Sequence, residues 1–161
     1  MSEIRSAHCK RKTKETDIDL MFTIDGSGQS SITTDIGFFD HMLDGFARHG
    51  LFDLDVTVKG DLLVDCHHTI EDCGIVLGEA IKQAVGDKKG ICRYGSCILP
   101  MDETLVLCAI DLSGRPYLSF DAEFTTNRIG YMDTEMIREF FYAISYSAGM
   151  NLHIQVLKAG N

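Results

Sequence analysis

Phe38-Phe-Asp-His-Met-Leu-Asp-Gly-Phe-Ala-Arg-His49, followed by Gly50 and Leu51-Phe-Asp-Leu-Asp-Val-Thr-Val58, decides the architecture. The first part reads as a helix over 38–49, with Gly50 as its stop. In the second part Phe52, Leu54, Val56 and Val58 alternate with polar residues, the period of a half-buried strand, and the strand ends at Gly60. The same order returns later as helix 133–149, strand 151–158 and Gly160. At an offset of 100, Val56 meets Val156, Gly60 meets Gly160, Phe46 meets Tyr146 and Leu54 meets Ile154. This predicts an internal repeat within one domain spanning 1–161, with a first copy over about 1–95 and a second over about 96–161. In the first copy Gly60 leads into a histidine-rich helix. In the second the sequence reaches Gly160-Asn161 where that helix should begin, so the second copy reads as incomplete.

Working outward, Ile18, Leu20, Phe22 and Ile24 alternate as another strand, closed by a turn at Gly26-Ser-Gly28. Residues 67–85 read as a helix with an apolar stripe of Ile70, Leu77, Ala80, Ile81 and Ala84. Gly74 and Gly78 weaken it and let a neighbour approach its backbone. Residues 104–112 and 117–124 are strand-like, and His8 is placed in a mobile N-terminal tail. Apolar residues make up 45% and charged residues 24%, as in a folded globular chain rather than a disordered one. The net charge of −9 argues against a general nucleic-acid or anionic-membrane binder, since phosphate backbones require a basic footprint. No apolar stretch approaches the ~20 residues of a membrane span, and the N-terminus lacks the apolar run of a secretory signal. Six cysteines, none in a Cys-x-x-Cys pair, read as reduced and mostly buried thiols of a cytoplasmic protein.

The strongest chemical signal is His67-His68-Thr-Ile-Glu71. On a helix His67 and Glu71 share one face and can reach one ion. His68 is rotated from His67 by about 100°, so the doublet suits two metals better than one. The plainer reading is a polar helix start capped by Asp65 or a neighbour. His153 lies between Leu152 and Ile154 on an alternating strand and points away from their apolar face. His41 sits on the polar side of the first helix, and His49 precedes its C-terminal glycine. Imidazole and carboxylate donors together suit Mn, Fe or Zn. Arg93 and Arg115 lie in turns at strand ends and form either a specific anion site or two solvated turns. Glu15 and Asp102 open strands, where each can supply an acid, a base or a substrate contact.

These segments together resemble the imidazoleglycerol-phosphate dehydratase family. The resemblance rests on Arg11-Lys-Thr-Lys-Glu-Thr16, Gly37-Phe-Phe-Asp-His-Met-Leu43, His49-Gly-Leu51, Gly60-Asp61 and His67-His-Thr-Ile-Glu-Asp72. It continues through Pro100-Met-Asp-Glu103, Asp111-Leu-Ser-Gly-Arg-Pro-Tyr117 and Gly149-Met-Asn-Leu-His-Ile154, and so covers about Arg11 to Asn161. It implies an α/β fold of the α+β type, with internally duplicated half-domains and helices packed against mostly four-stranded β-sheets. It also implies a cytoplasmic lyase of histidine biosynthesis. That enzyme dehydrates imidazole glycerol phosphate to imidazole acetol phosphate while two Mn²⁺ ions per complete site hold the ring as imidazolate. By position, His41, His67, His68, Glu71 and His153 match metal ligands, and Arg93 and Arg115 match phosphate-binding arginines. Glu15 and Asp102 match polar residues near the substrate, with Glu15 as the proton-transfer residue and His41 and Glu15 in substrate contact. The implied partners are a small phosphorylated imidazole and copies of the same chain, as trimers and a 24-subunit shell with sites between subunits. No nucleic acid or membrane is implied.

The family also carries a second His-His-x-x-Glu helix after the position of Gly160-Asn161 and a later Ser-Lys-Gly stretch. This sequence has neither, so the metal sites and phosphate pocket are expected to lack ligands. Two alternatives stay open: a non-catalytic, metal-poor or truncated assembly of the same enzyme, and a mononuclear metal hydrolase with three protein ligands and one open position.

Overall fold

The computed structural model describes residues 4–160; Met1, Ser2 and Glu3 of the N-terminus and Asn161 at the end of the last expected strand lie outside the described residues. Strands β1 (Ser6–Lys12), β2 (Thr16–Thr23) and β3 (Ser30–Thr33) precede helix α1 (Gly37–Gly50), strand β4 (Asp53–Gly60) and helix α2 (His67–Val85). Strands β5 (Tyr94–Met101), β6 (Thr104–Asp111) and β7 (Tyr117–Asp121) follow. A small hairpin of β8 (Arg128–Ile129) and β9 (Met132–Asp133) then leads to helix α3 (Glu135–Ala148) and strand β10 (Asn151–Lys158). One four-stranded sheet has the order β1-β2-β4-β3 and the other β5-β6-β10-β7. In both, the first three strands pair antiparallel and the last pairs parallel.

The fold is therefore a duplicated α+β unit, but its register differs from the expected offset of 100. An offset of 88 carries the pair Ser6↔Thr23 onto Tyr94↔Asp111, and 98 carries Asp53 onto Asn151. The growth from 88 to 98 falls in the segment that holds the β8–β9 hairpin. Offsets of 98 and 100 put the same strand faces together, because a two-residue slip preserves alternation. The helix ends distinguish them: Leu51 (φ 56°) after α1 and Gly149 (φ 65°) after α3 are both left-handed caps. Gly50 is thus inside α1 rather than its stop. A side chain there would strike the ring of Phe52, which folds back over it.

The core lies on one face of the first sheet. Ile18, Leu20, Phe22, Leu54, Val56 and Val58 are each at most 2% exposed and face Phe39, Leu43 and Ala47 of α1 with Ile70, Cys73, Leu77 and Ala80 of α2. Burial of each large side chain is worth about 1.5–3 kcal/mol. Helix α2 packs on β1, β2 and β4 and, on another side, on α3. The α2–α3 contact runs through the two glycines: a Cβ on Gly74 would lie 2.8 Å from Phe140 O, and one on Gly78 would lie 2.7 Å from Ile144 O. The second sheet is less covered. Strand β5 is exposed along its whole length and β6 is half-buried, so Ile98, Leu99 and Met101 face outward.

His8 corrects one expectation. It lies in β1, not a loose tail, with its Nε2 2.5 Å from Asp19 Oδ1. The strand buries only Ala7 and Cys9, too small a pair to show as a periodic pattern. Glu15 and Asp102 each sit just ahead of a strand, β2 and β6, but in a hairpin turn, because β1 and β5 precede them. Among the described residues no helix is long and apolar enough to cross a membrane.

Candidate functional site

Helix α2 begins at the histidine doublet because Asp65, one residue before the cap, accepts the His67 N–H at 2.8 Å. One turn on, Glu71 Oε2 lies 3.4 Å from His67 Nε2. The His68 ring points elsewhere, with the two ring centres 6.1 Å apart. Its Nδ1 is 2.9 Å from Asp61 Oδ2, just past the end of β4. That hydrogen bond raises the His68 pKa above its ordinary value; desolvation opposes it, and the charges of Asp61, Glu15 and Asp65 each add a smaller upward push. A carboxylate holding Nδ1–H leaves Nε2 as the lone-pair donor, the arrangement common behind metal-bound histidines.

Glu15 reaches this end of α2 through a second set of bonds. Asp72, on the second turn of α2, accepts from Arg11 Nε at 3.0 Å and from Thr16 Oγ1 at 2.5 Å. Arg11 and Thr16 flank the β1–β2 turn, whose Thr13 Oγ1 accepts the Glu15 N–H at 3.1 Å. The turn is thereby tied to α2, and the Glu15 charge acts on His68. Beside it, a cleft of about 360 Å³ is lined by Asp65, Cys66, Asp35, Asp133 and Arg128 among others. The nearby Cys73 is buried, which pushes its thiol up to about 12 and leaves it no nucleophile. All six cysteines are free; Cys92 and Cys97 are exposed.

The arginines lie elsewhere. Asp111 binds Arg93 in a fork, accepting from Nε at 2.6 Å and Nη2 at 3.0 Å. These bonds hold the Asp111 carboxyl below the usual range, with Arg115 adding to the effect. Arg115 follows Gly114 in the β6–β7 turn, and Asn151 Nδ2 donates to the Arg115 carbonyl at 2.5 Å. His153 is exposed two residues along β10, its ring 5.6 Å from that of Tyr117. Lys88, three residues past α2, brings its Nζ within 3.5 Å of where a Cβ on Gly114 would stand.

The structure thus brings Glu15, His67, His68 and Glu71 together and groups Arg93, Arg115 and His153 separately. The two groups sit at opposite ends of α2, whose 19 residues span about 28 Å. Asp102 lies at the far end of β5 from Arg93, a distance of about 26 Å at strand rise. His41 is exposed on the first turns of α1, behind Asp40, which accepts from Thr34 N–H and Oγ1. Two imidazoles and a carboxylate at the start of α2 are the right donors for a divalent ion. Among the described residues, however, no three His, Cys, Asp or Glu side chains converge closely enough to hold one. Sequence reasoning gave no part to Asp72, Asp111 or Asn151. Their partners are 61, 18 and 36 positions away, so only the sheet register could have paired them.

The family model for imidazoleglycerol-phosphate dehydratase matches residues 34–161. Proteins of that name from Lachnoclostridium phytofermentans and Acetivibrio thermocellus are 66% and 61% identical over 157 residues, covering 98% of this chain and 80% of each relative. The crystal structure of the Staphylococcus aureus imidazoleglycerol-phosphate dehydratase superposes with a TM-score of 0.86 at 37% identity, covering 97% of this chain and 86% of that one. The Pyrococcus furiosus structure, in complex with (S)-C348, gives 0.81 at 33% identity over 95% of this chain and 81% of that one.

Proposed function

The chain belongs to the imidazoleglycerol-phosphate dehydratase family, hydro-lyases of histidine biosynthesis, and from that premise we propose a dimetal reaction at a site shared between chains. The substrate is imidazole glycerol phosphate, the product imidazole acetol phosphate, and the setting the cytoplasm. Two Mn²⁺ ions, when bound, would supply Lewis acidity toward the imidazole ring of the substrate. His67 and Glu71 would hold one ion and His68 the other, with His41 and His153 as further ligands brought from elsewhere in the assembly. Asp61 keeps the proton of His68 on Nδ1.

The reaction removes hydroxide from the carbon attached to the ring and a proton from its neighbour, and the resulting enol becomes the ketone. Glu15 takes that proton, with Asp102 as a second polar group near the substrate. Arg93 and Arg115 bind the phosphate and so orient the side chain. One observation carries the reading: the Asp72 lock that sets Glu15 beside a His-His-x-x-Glu helix start. That helix start and the arginines lie at opposite ends of the 19-residue α2, itself about 28 Å long, which supports a site completed by a second chain, as in trimers and a larger shell.

Native mass spectrometry with and without Mn²⁺, beside a dehydration assay, tests this. The expected result is two Mn²⁺ per site and a Glu15→Gln variant that keeps its metal but loses turnover by about a hundredfold or more. Near-full turnover of metal-loaded Glu15→Gln removes its proton role, and one ion per site overturns the dimetal reading.

A further inference from the structure

The duplication allows one loop to be compared with its own copy. Residues 24–29 join β2 to β3 and residues 112–116 join β6 to β7, with 88 positions between equivalents. Ile24 N–H donates to Arg5 O as Leu112 N–H donates to Arg93 O, so Arg5 occupies the place of Arg93. Ser27 likewise matches Arg115. Asp53 opens β4 where Asn151 opens β10.

The two copies treat charge in opposite ways. In the first, Arg5 is forked onto Asp25 at 2.9 and 2.6 Å. Asp53 Oδ1 accepts the Ser27 N–H at 2.8 Å and the Gln29 N–H at 3.0 Å, so the loop wraps a carboxylate of its own chain. In the second, Ser113 replaces Asp25, Arg115 replaces Ser27 and neutral Asn151 replaces Asp53. The Asn151 amide donates to the Arg115 carbonyl instead, and the Arg115 guanidinium makes no hydrogen bond among the described residues. Arg93 and Arg115 there act on one carboxylate, Asp111, and Lys88 Nζ stands beside the same turn at Gly114. The first copy sets one arginine against two carboxylates.

We propose that Asn151 is a positioning and specificity residue of the phosphate site: its amide fixes the Arg115 loop, and its neutrality leaves that loop to an external phosphate monoester where Asp53 supplies an internal anion in the first copy. The inference rests on the reading of Arg93 and Arg115 as the phosphate site. Aspartate at 151 would face the Arg115 carbonyl with a like charge and swing toward the cations, competing with phosphate.

Inorganic phosphate is the probe, titrated calorimetrically into the assembled protein and into its Asn151→Asp, Asn151→Ala, Arg115→Ala and Asp53→Asn variants, with KM and kcat measured alongside. Asn151→Asp and Asn151→Ala both break the amide bond, but only the first adds charge. The expected result is a loss of phosphate affinity of about tenfold or more for Asn151→Asp, a clearly smaller loss for Asn151→Ala and none for Asp53→Asn. KM should rise in step with Asn151→Asp, while kcat stays within about twofold. Equal losses in the two Asn151 variants overturn the inference by making the role structural, and wild-type affinity in both overturns it too. Arg115→Ala separates the failures. If it weakens phosphate while Asn151→Asp does not, this inference alone falls; if it leaves phosphate binding intact, the phosphate-site reading falls and takes the inference with it.

Discussion

Arg11 and Asp72, 61 positions apart, are joined by a 3.0 Å hydrogen bond that ties the first hairpin to the second turn of α2. Thr16 closes the same carboxylate from the other side. Asp72 is 8% exposed, and its loss takes the carboxylate from Arg11 and leaves the buried Thr16 hydroxyl with only its 3.2 Å contact to Thr13 Oγ1. Asp72→Ala is therefore expected to cost about 1–3 kcal/mol in urea unfolding. It should also lower turnover, because the turn that carries Glu15 is released. An Asp72→Ala protein with wild-type kcat would separate the lock from the chemistry.

The His68–Asp61 pair has a defined pH signature in the metal-free protein. The hydrogen bond that His68 donates to Asp61 raises the His68 pKa above its unfolded value, which is about 6.5. A raised pKa means the folded state binds the extra proton more tightly. The pair's contribution to stability is thus fully present below about pH 6.5 and is lost as pH rises through the higher folded value. Both partners are partly exposed, at 44% and 25%, so the effect is small. Asp61→Asn should bring the His68 ring titration, followed by NMR, back down toward the ordinary value. An unchanged titration would show that Asp61 does not hold the ring.

Much of this was legible in the sequence where periodicity was strong. The extent of α2 over 67–85 follows from an apolar stripe that α2 needs against the first sheet. The alternation of Leu54, Val56 and Val58 likewise marks β4, since all three are buried on one face. Strand β1 was hidden because its buried positions are alanine and cysteine, and β5 because it buries nothing. The repeat was visible but slipped by two residues, a shift that alternation cannot detect. For the candidate site, sequence marks the histidines and arginines individually. It does not reveal that α2 holds the two sets at opposite ends, since that depends on which loops its two ends meet.

Two helical glycines should respond oppositely to alanine. Gly45 in α1 has open space where a Cβ would go, so Gly45→Ala should stabilise by up to about 1 kcal/mol through helix propensity. A Cβ on Gly78 would stand 2.7 Å from Ile144 O and from Ser147 Cβ, both across the α2–α3 contact. Gly78→Ala must push the helices apart, and overpacking of about 1–3 kcal/mol outweighs the propensity gain. Urea midpoints of the two variants test the sign. A stabilised Gly78→Ala would mean that the α2–α3 contact yields easily.

The separation of the two functional groups along α2 makes the shared site testable by mixing. His67→Ala removes the metal end of a chain and leaves its arginines; Arg115→Ala does the reverse. Each assembly alone should be nearly inactive. If the substrate bridges two chains, co-assembled subunits re-create sites with an intact His67 from one chain and an intact Arg115 from another. Random mixing of equal amounts should then restore about a quarter of wild-type activity. If each chain instead carried its whole site, every site in the mixture would keep one lesion and no activity would return. Restoration must also depend on exchange: variants assembled separately and combined without dissociation should stay inactive. That control excludes trace wild-type protein as the source of turnover.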